Sequence, residues 1–190
     1  MNIKGEYRDV IKRNGRVIKD FGWRSNKIVA DFGKFLAALM KKDFERKEPV
    51  GIEYIAVGSG SADEEEFKVR IGKFFGDNKI ENNGYWVWAK SIDEINYAGL
   101  PEGEEISNAI RIEMDFQENE PEAKTFELRE FALVGIGKKE DDTDKVILDV
   151  NRLFLINYVS HGPITKDKDM TLSRTINLTF PINNNQGGVQ

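Results

Sequence analysis

Few residues of this chain are of a type and spacing that could do chemistry. Gly58-Ser59-Gly60 follows an apolar run, as the start of a phosphate-cradling loop would. Neither a third glycine nor a Gly-Lys-Ser/Thr stands where such loops need it, so the trio reads as a tight turn at a strand end. Two acidic runs, Asp63-Glu64-Glu65-Glu66 and Asp141-Asp142-Thr143-Asp144, offer the hard oxygen ligands that calcium takes. Both lack the spaced ligands and central glycine of an EF-hand loop and read as solvated segments; no metal and no cofactor is expected. Glycoside cleavage needs two carboxyls across a cleft, one with a raised pKa. Among 33 Asp and Glu some pair always looks suitable, so the acids do not argue for it. The single histidine, His161, lies beside Gly162-Pro163 and reads as a turn residue, and cysteine is absent. No catalytic set emerges, and the chain is not expected to be an enzyme. Tyr85, Trp86 and Trp88 remain. Aromatic faces anchor protein interfaces and stack on sugars alike, so the trio is a candidate interface with carbohydrate as the alternative ligand.

Bulk properties narrow the class. At 190 residues the chain fits one domain and can bury a sizeable core without disulfides. A net charge of −5 argues against a nucleic-acid partner, because phosphate contacts need clustered Lys and Arg. The opening Met1-Asn2-Ile3-Lys4-Gly5-Glu6 lacks the apolar core of a signal peptide, and no run approaches the roughly 20 apolar residues of a membrane span. Charged residues make up 32%, which reads as a well-solvated surface.

The elements that would position these residues are mostly strands. Residues 6–22 read as a β-hairpin, because Asn14-Gly15 tolerates the positive φ of a type I′ turn. Its arms, with Val10, Ile11, Val17 and Ile18, are thinly apolar, which suits an edge hairpin or an arm that docks on a neighbour. Ser25 or Asn26 can cap a helix over about 25–41, whose stripe of Ile28, Phe32, Phe35 and Leu39 predicts one buried face. Gly33 within it suggests a close helix–sheet approach. A charged linker over 41–49 and a strand over 51–57 follow, and 61–80 shows no clear period. Ile110, Ile112, Met114 and Phe116 alternate with polar residues, as do Leu172, Ile176, Leu178 and Phe180, which predicts antiparallel sheets. A strand over 126–136 carries an irregularity at Glu130. Val146 to Val159, including Phe154 and Tyr158, is apolar on both faces, so a second layer or another subunit should cover it.

The order of these parts resembles that of structural proteins from the tail, baseplate and fibre-attachment region of tailed bacteriophages and prophages. Asn26 to Met40 is similar to their Asn-x-Ile-Val element and helix, and Ile52 to Gly60 to their Ile-x-Tyr-Ile-Ala-Val-Gly-x-Gly strand. Leu128 to Gly135 is similar to a Glu-hydrophobic-Gly strand. Leu153 to Phe180 resembles a Leu-Phe segment leading to Pro-Ile-x-Lys and a closing alternating strand. The similarity covers roughly residues 22–182. Where such proteins often carry Leu-x-x-Glu-x-x-Arg after the glycine pair, this chain has Glu64-Glu65-Glu66-Phe67-Lys68-Val69-Arg70.

The expected fold is mainly β: an antiparallel β-sandwich (23–182) with one packed α-helix, an N-terminal β-hairpin arm (1–22) and a flexible polar tail (183–190). The resemblance implies a virion structural protein of the tail region, made in the host cytoplasm. It would act by homo-oligomeric assembly with other tail proteins through Tyr85, Trp86, Trp88, Phe154 and Tyr158. The alternative is a carbohydrate-binding sandwich module that recognises a host glycan.

Overall fold

The structure, a computed structural model, describes residues 3–41, 51–60, 63–77, 85–100, 105–122, 124–140 and 146–180. Its elements run β1 (Lys4–Arg13), β2 (Arg16–Asn26), α1 (Ala30–Lys41), β3 (Tyr54–Gly58), α2 (Glu64–Asp77), β4 (Val87–Ser91), β5 (Ile95–Tyr97) and β6 (Ala109–Phe116). They continue with β7 (Phe126–Glu140), β8 (Val146–Leu155), β9 (Val159–Lys166) and β10 (Met170–Thr179). Two antiparallel sheets form, a first in the order β2-β1-β10-β6-β5 and a second in the order β4-β3-β7. The far side of β7 is shared, with β9 along its first half and β8 along its second. The molecule is the expected β-sandwich with a packed helix, and it carries a second helix as well. The acidic run 141–144, most of the linker 41–49 and the tail 183–190 lie outside the described residues.

Period-two alternation builds the core. Ile112, Met114, Phe116, Leu172, Ile176 and Leu178 turn inward from the first sheet and meet Ile55, Val57, Leu128, Phe131 and Leu133 of the second. Burying each such side chain contributes about 1.5–3 kcal/mol. The opposite face of the second sheet is also apolar. There Ala56, Ala132, Val134, Ile136 and Leu155 pack against Phe67 and Ile71 of α2.

Helix α2 occupies the segment that showed no period in the sequence. Its core-facing apolar residues, Phe67, Ile71 and the partly buried Phe75, stand four apart, and the exposed Val69 and the neighbouring Phe74 blur that stripe. Asp63 caps it, accepting from the Glu66 N–H at 2.8 Å. The acidic run that could have been a calcium loop is therefore a capped first turn, and its carboxylates suit the positive pole of the helix.

Helix α1 begins at Ala30, later than expected. Ser25 and Asn26 end β2 instead, and Ile28 forms an isolated bridge with Asn157. A buried polar partner outcompeted the capping role, because Asn26 Oδ1 accepts from Asn157 Nδ2 at 2.8 Å. The close approach expected at Gly33 is at Gly135 of β7. Gly33 is exposed with open space at its Cβ position, whereas a Cβ on Gly135 would lie 2.6 Å from the Phe35 ring.

The hairpin turn is as expected, with φ of +50° at Asn14 and +73° at Gly15. Thinly apolar as its arms are, the hairpin contributes to the core. β1 lies between β2 and β10 and buries Tyr7, Asp9 and Ile11 between the sheets. The run over 146–159 is not one strand: it breaks at 156–158. Before the break, Leu153 and Leu155 face the α2 layer and Phe154 faces Phe35 of α1 at 5.6 Å, so both faces are covered within the chain over 153–155, whereas Val150 is exposed. Among the described residues no helix is long and apolar enough to cross a membrane.

Candidate functional site

The densest polar chemistry surrounds Glu130. In β7, Leu128 points between the sheets and so does Phe131, three residues on, because a bulge shifts the β7–β9 register between Leu128 and Glu130. Such a bulge re-aims one side chain. Here it turns Glu130 toward α2, where Arg70 Nη2 donates to Oε1 at 2.8 Å and the Tyr158 hydroxyl donates to Oε2 at 3.0 Å. Gly58 and Gly60 are glycines to make room for this group. A Cβ on Gly58 would lie 2.6 Å from Glu130 Oε1, and one on Gly60 3.1 Å from the Arg70 guanidinium. Burial pushes the Glu130 carboxyl above the ordinary range despite Arg70 and Tyr158, and burial, with Glu130 beside it, raises the Tyr158 hydroxyl too. A raised carboxyl is the property a general acid needs. This one is 0% exposed with both oxygens engaged inside the chain, so the arrangement fastens α2 to the sheet.

A second charged group sits between the sheets. Arg174 forks onto Asp9, Nε to Oδ1 at 2.6 Å and Nη2 to Oδ2 at 2.9 Å, with both side chains 0% exposed. The guanidinium lies over the Phe131 ring, 3.9 Å from its centroid. His161 Nε2 stands 3.4 Å from Nη2. Burial, and then the Arg174 charge, lower the His161 pKa to about 4, so the imidazole is neutral at neutral pH. A third link joins the helices: Asp31 of α1 accepts from Lys34 at 2.9 Å and from Lys68 of α2. Burial alone would raise Asp31, but these two ammonium groups outweigh it and hold the carboxyl below its usual range.

The five expected interface residues do not share a surface. Tyr85 is half-exposed, with Arg70 over its ring at 5.6 Å. Trp86 and Trp88 point between the sheets and pack edge-on or tilted against Phe126 at 4.8 Å and Phe116 at 5.9 Å. They form no stacking platform with Tyr85. Phe154 is partly buried on Phe35, and Tyr158 is buried on Glu130. Exposed apolar side chains lie elsewhere: Val17, Ile18 and Trp23 on β2, Ile95 and Tyr97 on β5, Leu100 and Ile106 after it, and singly Val69 on α2 and Val150 on β8. β2 and β5 are the two edges of the first sheet. Val17 and Ile18 were legible from the hairpin pattern, whereas Trp23 stood beyond the expected hairpin, which β2 extends to Asn26. Ile95-Asn96-Tyr97 is too short to show a period, and only its place beside β6 marks it as a strand.

Among the described residues no group of three or more His, Cys, Asp or Glu could hold a metal ion. No protein family, no curated protein and no solved structure matches the chain.

Proposed function

We propose that the chain is a structural subunit of a phage tail or tail-like particle, at the baseplate, tail tip or fibre attachment. It acts by assembly with copies of itself and with neighbouring virion proteins. One structural observation supports this reading most. The strongly buried charges are consumed in contacts within the fold, while among the described residues most exposed apolar side chains lie on or beyond the two edge strands of one sheet. A sheet edge with unpaired backbone groups and no bulge or charge to block it is where chains join. The ordered resemblance over roughly residues 22–182 supplies the class of particle. Light scattering is expected to find a stable oligomer, and a glycan array to find no binding.

A second reading, a carbohydrate-binding module, draws on Trp23. This residue is 46% exposed and pairs with Arg8, whose side chain lies on the outer face of the first sheet. Nearby, a groove of about 500 Å³ is lined by Asp20, Glu113, Asp115, Ser173 and Thr175, a polar set suited to sugar hydroxyls. Array binding lost in Trp23→Ala, by a monomeric protein, would favour the module and sink the assembly reading.

A further inference from the structure

The two edges of the first sheet differ in how they are protected. β2 carries register shifts against β1 in two places, between Arg8 and Val10 and between Ile11 and Lys12, and Gly22 has a φ of +68°. It also bears Arg16, Lys19, Asp20 and Arg24. Bulges and charges of this kind keep an edge from pairing with another chain. In the second sheet β9 carries Pro163, a further blocking device. β5 has no bulge, charge or proline, and it presents Ile95 and Tyr97, both exposed. Among the described residues its one protection is its shortness.

The backbone of β5 is oriented for pairing. The Ala98 N–H donates to the Ala109 carbonyl at 2.9 Å, and this pair continues the register Ile95↔Ile112, Asn96↔Arg111, Tyr97↔Ile110. Hydrogen-bonded pairs alternate along an antiparallel ladder, so the next bonded pair is Asn96–Arg111. The N–H and C=O groups of Ile95 and Tyr97 therefore point off the edge of the sheet.

The geometry points to β5 pairing antiparallel with β5 of a second copy, about a two-fold axis at Asn96. A two-fold interface sets residue i against j and j against i. Ile95 then faces Tyr97 of the second copy, and each such pair exchanges both of its free backbone bonds. An aliphatic and an aromatic side chain meet across the strands, a favourable cross-strand pair. Asn96 meets Asn96, whose amide both donates and accepts. In this register Glu94 stands opposite Ala98, so no like charges oppose each other. Leu100 and Ile106, exposed beyond the strand, add apolar surface at its end. The first sheet becomes continuous across both copies. A foreign strand would need its own matching spacing; a second copy supplies it by symmetry.

This pairing rests on the assembly reading and names one of its contacts. The test is sedimentation equilibrium on the full chain, on Tyr97→Pro and on Ile95→Lys. Proline at 97 removes an N–H that no contact within the sheet uses, and an edge strand tolerates it; lysine at 95 adds a charge to the edge without altering the backbone. The full chain is expected to dimerise, and each substitution to weaken the dimer by about tenfold or more, since symmetry applies it twice. Circular dichroism melting checks that both variants fold, and either one alone suffices for the comparison. An oligomer that survives both substitutions overturns the β5 pairing and leaves the assembly reading standing. A full chain that stays monomeric at the highest attainable concentration overturns both.

Discussion

Asp9 and Arg174 stand directly opposite each other in the β1–β10 ladder, and both are fully buried. A buried pair of this kind costs desolvation energy and returns it only if both partners are present. Asp9→Leu is therefore expected to destabilise the protein by about 3–5 kcal/mol in urea unfolding. Asp9→Leu with Arg174→Met should recover most of that, since no uncompensated charge remains. Recovery failing in the double variant would mean that the pair fixes strand register as well. His161, beside Arg174, gives a pH dependence of definite sign. Its pKa falls from 6.5 to about 4 on folding, so the unfolded chain binds more protons between those values. Stability is complete above pH 6.5 and is lost as pH falls toward 4, by on the order of 2–3 kcal/mol. His161→Gln should flatten the melting temperature across that window. An unchanged slope would place the acid sensitivity on other groups.

Between elements, side chains complete what the ladders leave open. β8 and β9 lie end to end along β7, and the gap between them falls opposite Leu133. Asn157 fills it: its Oδ1 accepts from the Leu133 N–H at 2.6 Å, and the Ile156 N–H donates to the Leu133 carbonyl at 2.9 Å. Its Nδ2 reaches Asn26, where β2 leaves the first sheet, so one amide joins both sheets. Asn157→Leu leaves a buried N–H unpaired and should cost about 1–3 kcal/mol. Faster hydrogen exchange at the Leu133 amide would locate the loss. The other joint is steric. Gly135→Ala drives a methyl into the Phe35 ring and should cost about 1–3 kcal/mol, an overpacking penalty. Gly135→Ala with Phe35→Leu should be less destabilised than the sum of its parts; strict additivity would separate the two sites.

For the molecule as a whole, the N-terminal hairpin decides whether the sandwich closes. With β1 removed, β10 loses its neighbour on one side and the core loses Tyr7 and Ile11, while Arg174 is left buried without its carboxylate. A chain lacking residues 1–22 is expected to show no cooperative thermal transition by circular dichroism. A truncated chain that melts near the full-length temperature would restore the hairpin as an assembly arm. Shortening that arm is thus a poor way to probe assembly, and the edge substitutions at Ile95 and Tyr97 are the cleaner route.

Residues 110–116 and 171–180 carried the fold class in the sequence, because a half-buried strand must alternate and both runs do so, interrupted only by Arg174 on the inward phase of the second. Asn14-Gly15 fixed the hairpin turn for a local reason too, since few other pairs accept two positive φ angles. The irregularity at Glu130 was likewise visible as a fault in the alternation. These properties depend on neighbours in sequence. The partners of Glu130, Arg174 and Asn157 do not: Arg70 is 60 residues from Glu130, Asp9 is 165 from Arg174, and Asn26 is 131 from Asn157. Strand phase can mark a charge as inward-facing, as at Arg174, but nothing local names the distant partner it will meet. The inward turn of Trp86 and Trp88, and the outward backbone of β5, were decided in the same way. Each depends on which strand lies alongside, and only the tertiary structure sets that.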